Sequence, residues 1–463
     1  MLAKPVTKFA HRVTNVEEIP RLVAYGFRQA VTGAPGPVLL DCPIDVLFSP
    51  PIMNRISYGA ITKPMPFQPA ASPDAIAAAL KLWKSARRPA IITGTGARGS
   101  AVNEKLLKLV EVTNTPVFYS SKMSNSIPYG HKLRGGPASR LALLPMLGKE
   151  QPDLIILLGA RTGFLLGGRG GALLPNEGCS YVQVDTDGGE IGKSHPIDVG
   201  IIGTTESAID GFLKESEGLK GSEEWEKTIS GLKDLKSPFD DSETTINGRP
   251  HPYHAVKAMF GALPEGCIVI GDGGEIGGWS LTLLEDARAS LSMQSTGYLG
   301  FLGNGWGYAL GAAIADPSKQ IISITGDGAA GFHLAELDTY ARFGLKILTI
   351  IGNNDVWGMS QAGQNLLYGD KNPVRQASKL NPNAEYHNVA AALQCESARV
   401  DKLDEIAPTI KKLLSSGKPG LLNMIISAEP VHPGTQAMVD PTDDPNWIVV
   451  PYYDNVPRPF YKG

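Results

Sequence analysis

Residues 326–355 constrain the fold more tightly than any other part of this sequence. They read GDGAAGFHLAELDTYARFGLKILTIIGNND and follow the apolar run QIISIT. A strand ending at Thr325, a turn at GDG, a helix and a second strand ending at Asn353 make one βαβ unit. A right-handed βαβ crossover places both turns at the carboxyl edge of one parallel sheet. The sequence therefore predicts that Asp327 and Asn354 converge in space.

The two converging side chains offer a carboxylate and an amide oxygen. These hard ligands are too few for a Ca²⁺ cage but suit Mg²⁺, which completes its octahedron with phosphate oxygens, water and a backbone carbonyl. Gly326 and Gly328 let the backbone approach a phosphate, and the following helix N-terminus offers N–H donors to it. Either motif alone would favour a tight turn or a helix cap. Together they predict a Mg-diphosphate site.

The remaining composition fits a large α/β protein. The chain has 463 residues, 42% of them apolar and 19% charged, and strand-like runs alternate with helix-like stretches nearly throughout. This alternation is typical of parallel α/β domains. The net charge is −3, and no stretch concentrates Lys and Arg with interleaved aromatics. We therefore expect neither a nucleic-acid partner nor a membrane-surface partner.

Cysteine usage and the N-terminal sequence indicate a cytoplasmic enzyme. The four cysteines show no CxxC and no metal-site spacing, so free buried thiols in a reducing compartment are expected. They are Cys42, Cys179, Cys267 and Cys395. The N-terminus lacks the apolar core of a signal peptide, and no apolar run approaches membrane-spanning length.

The chain is predicted to divide into three α/β domains and a tail. A linker is expected at 52–72, and the charged stretch 214–238 is expected to be a solvated helical linker. The predicted parts are 1–50, the end of a domain; 70–215, a Rossmann-like parallel-sheet domain; 250–430, the domain with the metal motif; and 431–463, an extended tail.

The GDG and NN motifs resemble the signature of the thiamin diphosphate-dependent enzymes. In that family the Asp of GDG and the second Asn bind the metal. The resemblance implies Mg²⁺ coordination by Asp327, Asn354 and the main-chain carbonyl of Val356. The family often has Ser after GDG, whereas this sequence has Ala329, which implies that backbone replaces one side-chain contact to phosphate. Residues 250–430 would then be the diphosphate-binding domain, and 1–50 the end of a pyrimidine-binding domain.

A second resemblance lies in residues 297–311, GYLGFLGNGWGYALG. In the family, this segment passes under the cofactor. The resemblance implies that Leu302 props the two cofactor rings into the bent, reactive form. It also implies that the Gly300 carbonyl accepts a hydrogen bond from the 4′-amino group. A glycine-rich helix that packs closely on a neighbour is compatible with the same segment.

Two further stretches are candidates for cofactor contact. The GDGG of residues 271–274 resembles the family's second diphosphate loop and gives Gly273 and Gly274. Asp272 could be taken for a metal ligand, but it has no NN partner at suitable spacing. Residues just past the metal loop are expected to line the cofactor pocket or to belong to the core. These are Trp357, Gly358 and Met359.

Other motifs are weaker. GTGARG at 94–99 fits a dinucleotide fingerprint, but no acidic residue follows the next strand, where a ribose ligand would lie. Nucleotide binding there is the minority interpretation, with Arg98 and Asp185 as its candidate residues. Four histidines could face a substrate cavity, although capping or surface roles are expected more often. They are His251, His254, His387 and His432.

Within the family, the sequence resembles benzaldehyde lyase and the 2-hydroxyacyl-CoA lyase group most, while NNDVWGMSQAGQNLLYG is similar to acetolactate synthase. The resemblance implies a lyase or carboligase that cleaves or forms the C–C bond next to a carbonyl. A 2-hydroxy ketone or a 2-hydroxyacyl-CoA would be the substrate. Because the family's cofactor spans two subunits, a homodimer or homotetramer is expected.

One departure from the family leaves the activity open. The family's pyrimidine-binding domain carries a glutamate that protonates the cofactor ring, and no residue in 1–50 matches it. Glu17 and Glu18 lie in the wrong segment. One hypothesis is a lyase or carboligase whose N-terminal domain lies outside this sequence or comes from another chain in a hetero-oligomer. Another is a non-catalytic cofactor-binding partner or regulatory remnant of a full-length homologue. A NAD-dependent oxidoreductase built on GTGARG ranks third.

Overall fold

The computed structural model describes residues 2–48, 68–124, 127–168, 170–297, 299–369 and 375–436, together with 447–448 and 456–457. Most of the predicted linker at 52–72 and most of the predicted tail at 431–463 lie outside these residues. Within the described ranges, no helix combines the length and the apolar character needed to cross a membrane.

The first unit is small. It contains β1 (Phe9–Arg12), α1 (Ile19–Val31), β2 (Val38–Asp41) and α2 (Ile44–Leu47). The two strands pair in parallel, and a small apolar core of Val13, Leu22 and Val46 lies between the helices and the sheet. Two strands with so small a core give this unit little stability of its own.

The second unit is a six-stranded parallel sheet with helices on both faces. Its strand order is β6-β4-β3-β7-β8-β9. The strands β3, β4 and β7 are buried throughout, as expected for a sheet covered on both faces. The elements are α3 (Pro73–Ser85), β3 (Pro89–Thr93), α4 (Ser100–Thr113), β4 (Val117–Tyr119), β5 (Met123–Ser124), β6 (Arg134–Pro137), α5 (Leu143–Met146), β7 (Leu154–Leu158), β8 (Ser180–Asp185), β9 (Val199–Ile202), α6 (Thr205–Lys214) and α7 (Glu223–Gly231).

The stretch 214–238, predicted to be a solvated helical linker, is helical in part, but the prediction that it is solvated is wrong. This stretch contains α7, and its Trp225 side chain is only 3% exposed. The indole Nε1 donates a hydrogen bond to the Pro89 carbonyl at 2.9 Å, and Ile229 is buried beside it. The many Glu and Lys residues form the outer face of an amphipathic helix whose Trp225 and Ile229, four positions apart, face the core.

The third unit contains a seven-stranded sheet of order β16-β17-β15-β14-β12-β13-β5. Six strands run parallel, and β5 joins from the second unit antiparallel to β13. The elements are β10 (Thr245–Ile246), β11 (Arg249–Pro250), α8 (Pro252–Gly261), β12 (Ile268–Gly271), α9 (Glu275–Thr282), β13 (Leu291–Gln294), α10 (Gly305–Ala315), β14 (Ile321–Gly326), α11 (Asp327–Ala330), α12 (Glu336–Phe343), β15 (Ile347–Asn353), α13 (Gly358–Tyr368), α14 (Tyr386–Ala392), β16 (Glu396–Val400), α15 (Leu403–Ser415), β17 (Gly420–Ile425), α16 (Pro433–Gln436), β18 (Trp447–Ile448) and β19 (Val456–Pro457).

The α/β fold class is confirmed, with two mainly parallel sheets. Short 3₁₀ turns complete the structure at Lys4–Val6, Val16–Glu18, Ala138–Ala142, Phe164–Leu166, Gly188–Glu190, Leu284–Ala287 and Gln376–Ser378. Because β12, β14, β15 and β17 are parallel, their last residues lie along one edge of the sheet. Every loop that carries a predicted cofactor contact leaves the sheet at that edge or lies next to it.

A buried ion pair joins the second and third units. Arg134 on β6 donates from Nε and Nη2 to the two carboxylate oxygens of Glu285, each at 2.9 Å. The Tyr119 hydroxyl donates to the same carboxylate at 2.5 Å. Burial by itself would raise the pKa of Glu285, but the contacts with Arg134 lower it on balance. The carboxylate is therefore held as an anion between the two sheets.

Replacement of Trp225 tests the corrected assignment of α7. We expect Trp225→Ala to lower the free energy of unfolding by about 3–5 kcal/mol, because it removes a buried indole and its hydrogen bond. Lys227→Ala, on the exposed side of the same helix, should change it by no more than about 0.5 kcal/mol. Denaturant titration followed by circular dichroism measures both, and equal midpoints for the two variants would contradict the buried helix.

Candidate functional site

The structure brings Asp327 and Asn354 together at the carboxyl edge of the third unit's sheet. Asp327 is the first residue of α11, directly after β14, and Asn354 directly follows β15. Asp327 Oδ2 accepts hydrogen bonds from the backbone N–H groups of Asn354 at 3.2 Å and Asp355 at 2.7 Å. Its Oδ1 accepts from the Gly328 N–H at 2.8 Å. One carboxylate therefore links the ends of two neighbouring strands.

Asp327 is poorly solvated. The residue is only 4% exposed, and burial raises its pKa to about 6, although three backbone N–H donors oppose the shift. Among the residues that the structure describes, no Lys or Arg pairs with Asp327. Such a buried carboxylate favours proton uptake or a bound cation. A divalent cation at this position would supply the missing positive charge.

The loop after β15 is tightly folded. Asp355 has a φ of +61°, a left-handed conformation that is uncommon outside glycine. Arg249 on β11 pairs with its carboxylate at 2.7 Å. A Cβ on Gly358 would lie 3.1 Å from Nδ2 of the Asn354 side chain. The loop therefore places the Asn354 amide and the Val356 carbonyl in one short turn.

This set of donors fits Mg²⁺ bound together with a diphosphate. Within the described part of the chain, no group of three or more His, Cys, Asp or Glu residues could hold a metal by itself. Asp327, Asn354 and the Val356 carbonyl supply three oxygen donors of the kind Mg²⁺ accepts, and phosphate oxygens and water usually complete its shell.

The Gly273–Gly274 loop lies directly against the GDG turn and the start of α13, which follows residues 354–357, here called the metal loop. Gly273 has a φ of +98°, and a Cβ there would lie 2.8 Å from the Gly326 backbone nitrogen. A Cβ on Gly274 would lie 3.1 Å from Met359 Cβ. At position 273 a Cβ would meet backbone, so only glycine fits there, whereas at 274 a Cβ would have a tight contact with the Met359 side chain. Asp272, by contrast, accepts a hydrogen bond from the Gly305 N–H at 2.8 Å and fixes the start of α10.

Trp357 covers the GDG turn. A Cβ on Gly328 would lie 2.7 Å from the indole ring, so the residue type at 328 sets how closely Trp357 packs. Ala329 is buried beneath this turn. Gly358 begins α13, and the Met359 side chain remains partly exposed beside the Gly273–Gly274 loop.

The loop before α10 holds Leu302 and Gly300. Leu302 is half-buried, and Gly300 has a φ of +69°. A Cβ on Gly303 would lie 2.5 Å from Phe332 Cβ, and the His333 ring pairs with the Gly303 carbonyl through Nδ1 at 3.1 Å. The segment that follows the GDG turn thus supports the loop that carries Leu302.

The candidate nucleotide-binding residues of the second unit lie away from this edge, and the contacts of its GTGARG glycines are with backbone. Gly94 and Gly96 pack against the backbone of Gly159, where a Cβ on Gly94 would lie 2.3 Å from the Gly159 oxygen. The GTGARG glycines therefore allow two loops of the central sheet to touch. Arg98 is exposed, and the Asp185 carboxylate accepts from the Asp187 N–H at 3.0 Å.

The four candidate histidines do not form one cluster. His251 caps α8, since its Nδ1 accepts from the Tyr253 N–H at 3.0 Å. His254 contacts Ser242 at 3.1 Å, and His387 lies in α14. His251 and His432 both lie beside α9, where their rings meet the Trp279 indole with centroids 5.5 and 4.9 Å apart. The His432 Nε2 also contacts the Thr282 hydroxyl at 2.8 Å.

Sequence reasoning missed several residues that build this edge. The Tyr386 hydroxyl donates to the Asp327 carbonyl at 3.3 Å, and Arg249 and His333 hold the loops described above. Glu275 lies directly after the Gly273–Gly274 loop. Among these four residues, only Glu275 had a local sequence signal, namely its position directly after two glycines.

Comparison with known proteins identifies two domains. Residues 272–424 match the family described as "Thiamine pyrophosphate enzyme, C-terminal TPP binding domain". Residues 76–212 match "Thiamine pyrophosphate enzyme, central domain". The metal loop and the Gly273–Gly274 loop both lie within the first of these matches.

Curated relatives extend the similarity over most of the chain. An acetolactate synthase large subunit of Mycobacterium tuberculosis is 28% identical over 432 residues, which cover 93% of this chain and 75% of the relative. A 2-hydroxyacyl-CoA lyase of Arabidopsis thaliana is 27% identical over 447 residues, covering 91% and 75%. A probable acetolactate synthase large subunit of Methanococcus aeolicus is 28% identical over 446 residues, covering 92% and 73%.

A pair of glycine substitutions tests the close approach of the two loops. Gly273→Ala should destabilise the protein by at least about 2 kcal/mol, because the new Cβ meets backbone and φ is positive. Gly277→Ala, on α9 with no atom within 4 Å of its Cβ position, should be neutral or stabilise by up to about 1 kcal/mol. Thermal unfolding measures both, and equal effects would count against the loop contact.

Proposed function

We propose, on the premise that this chain belongs to the thiamin diphosphate-dependent enzymes, that it is a Mg²⁺-dependent lyase or carboligase. The reaction would cleave or form the C–C bond next to a carbonyl. The substrate class would be a 2-hydroxy ketone or a 2-hydroxyacyl-CoA.

One observation carries this proposal. The buried Asp327 carboxylate lies hydrogen-bonded to the backbone of the Asn354 loop, at the carboxyl edge of a parallel sheet. Ligands of open α/β sheets bind at this edge. The charge of Asp327, the amide of Asn354 and the Val356 carbonyl would hold Mg²⁺, and the metal would neutralise a diphosphate.

The glycine loops would bind the rest of the diphosphate. The N–H groups of Gly273, Gly274 and Ala329 would donate to the diphosphate. The Gly328 N–H already donates to Asp327 Oδ1 and would hold that carboxylate in place. Trp357, Gly358 and Met359 would line the wall beside these loops and keep water from the phosphate. Leu302 would support the cofactor rings, with the Gly300 carbonyl as an acceptor for the 4′-amino group.

When bound, thiamin diphosphate supplies the electron sink that C–C bond cleavage next to a carbonyl requires. The protein contributes position and charge. The half-buried Leu302 lies next to Gly303, which contacts Phe332 and His333, and this loop would hold Leu302 in position for the cofactor rings.

The relatives support two versions of the reaction. One is named a 2-hydroxyacyl-CoA lyase, which agrees with cleavage of a 2-hydroxy compound. Others are named acetolactate synthases, which makes acetolactate synthase-like carboligation the second candidate. Both reactions use the same cofactor chemistry, so the site described above serves either.

Assembly is part of this proposal. We expect a homodimer or homotetramer, or a hetero-oligomer with a chain that supplies a pyrimidine-binding domain and its glutamate. Large subunits among the relatives agree with association. Several large apolar side chains near the site are exposed, Leu299 at 82% and Phe301 at 61% among them, and a partner surface would cover them.

Removal of the predicted ligands tests the metal site. Asp327→Ala and Asn354→Ala should each abolish Mg²⁺-dependent binding of thiamin diphosphate, because each removes an oxygen donor. The exposed Asp338→Ala and Asn388→Ala on α12 and α14 serve as matched controls and should bind as the unmodified chain does. Isothermal titration with and without Mg²⁺ measures binding, and unchanged affinity in both ligand variants would sink the site assignment.

Turnover tests the reaction class. With Mg²⁺ and thiamin diphosphate, we expect release of an aldehyde from a 2-hydroxy ketone or from a 2-hydroxyacyl-CoA. Chromatography measures the aldehyde. Light scattering under the same conditions should show a dimer or a larger assembly. Formation of acetolactate from pyruvate would favour the second candidate. Tight cofactor binding by a monomer without any turnover would support a non-catalytic role instead.

A further inference from the structure

The chain crosses the site after its last sheet strand. Ile426 N–H donates to the Asn353 carbonyl at 2.9 Å, and Ser427 N–H donates to the Pro250 carbonyl at 2.9 Å. The chain then forms α16, which contacts both α9 and α13. We call residues 426–436 the crossing segment. It connects the helix that follows the Gly273–Gly274 loop to the helix that follows the metal loop.

Glu275 anchors the crossing segment. It is the first residue of α9, immediately after Gly274. Its carboxylate accepts a hydrogen bond from the His432 backbone N–H and another from the Thr435 hydroxyl at 2.8 Å. A carboxylate with two acceptor oxygens satisfies two donors at once, whereas a glutamine amide has only one acceptor oxygen.

The His432 ring fixes the segment along α9. It meets the Trp279 indole edge-on with ring centroids 4.9 Å apart, and its Nε2 contacts the Thr282 hydroxyl at 2.8 Å. A Cβ on Gly278 would lie 3.0 Å from the His432 ring, so the glycine admits the imidazole. The segment therefore has one defined position on the helix.

Glu275 and its neighbour Ile276 also pack against the residues that flank the metal loop. A Cβ on Gly358 would lie 3.2 Å from Glu275 Cβ, so the backbone after the metal loop rests on this side chain. The next residue, Ile276, lies 2.7 Å from the Cβ position of Gly352 near the end of β15. The start of α9 thus lies between the Gly273–Gly274 loop and the metal loop and touches both.

We infer that Glu275 is a positioning residue, which sets the spacing of the two phosphate-binding loops by fastening the crossing segment across them. This inference rests on the proposed function, since it concerns the same diphosphate site. The Glu275 carboxylate accepts hydrogen bonds from two donors on the crossing segment, and the Glu275 Cβ packs on the backbone just after the metal loop. Loss of the carboxylate would release the segment and let the two loops separate.

The affinity for thiamin diphosphate at saturating Mg²⁺ tests this role. Glu275→Ala should raise the Kd by at least about ten-fold, because it removes both hydrogen bonds to the crossing segment and the loss of one charge-assisted hydrogen bond alone has an effect of about that size. Thr435→Val removes only the hydroxyl donor and should raise it by a smaller factor. The double variant should bind no more weakly than Glu275→Ala alone, because both changes break the same contact. Additive effects, or an unchanged Kd in Glu275→Ala, would overturn the inference.

Three further measurements separate positioning from stability. Glu275→Gln keeps one acceptor oxygen and should recover part of the lost affinity. Glu396→Ala removes a carboxylate paired with Lys418 at the other end of the sheet and should leave the Kd unchanged. A lowered melting temperature in Glu275→Ala with a normal Kd would show a structural role only and overturn the inference. If the unmodified chain binds no thiamin diphosphate, the proposed function itself fails. That result comes from the unmodified chain and is therefore distinct from any result with the Glu275 variants.

Discussion

The site depends on the Asp327 carboxylate, which accepts hydrogen bonds from three backbone N–H groups. Two of those donors belong to the loop after β15, so a single side chain fixes the relative position of two strand ends. The carboxylate also carries a buried negative charge, which its backbone partners stabilise only in part, since its pKa is still raised to about 6. The same residue thus shapes the loop and creates the demand for a cation.

Part of this arrangement was predictable because it is local in sequence. The GDG and NN motifs lie one βαβ unit apart, and the handedness of that unit fixes where both turns fall. The apolar runs that became β3, β7, β14, β15 and β17 were equally readable. In contrast, β13 (LSMQ) and β6 (RGGP) lack a β-branched apolar pattern, and they exist because neighbouring strands supply ladder partners. The stretch that contains α7 was correctly predicted to be helical but wrongly predicted to be solvated, because its surface charges outweighed two apolar positions.

Glu275 shows a different limit. Its hydrogen-bond partners are 157 and 160 residues away in sequence, and no periodicity connects such positions. A carboxylate directly after two glycines reads as an ordinary helix N-terminal residue, where an acidic side chain is favourable. Only the fold shows that the side chain points to the crossing segment. Long-range polar contacts of this kind lie beyond pattern analysis, because their specificity arises from the tertiary structure.

The α9 helix is held at both of its ends by carboxylates. Glu275 at its start binds the crossing segment, and Glu285, just past its end, forms the buried ion pair with Arg134 of the second unit. A rigid helix transmits a displacement at one end to the other. The Gly273–Gly274 loop directly precedes this helix, so the packing of the two sheets against each other also bears on the site. The second unit therefore supports, through this ion pair, the helix that begins directly after the Gly273–Gly274 loop.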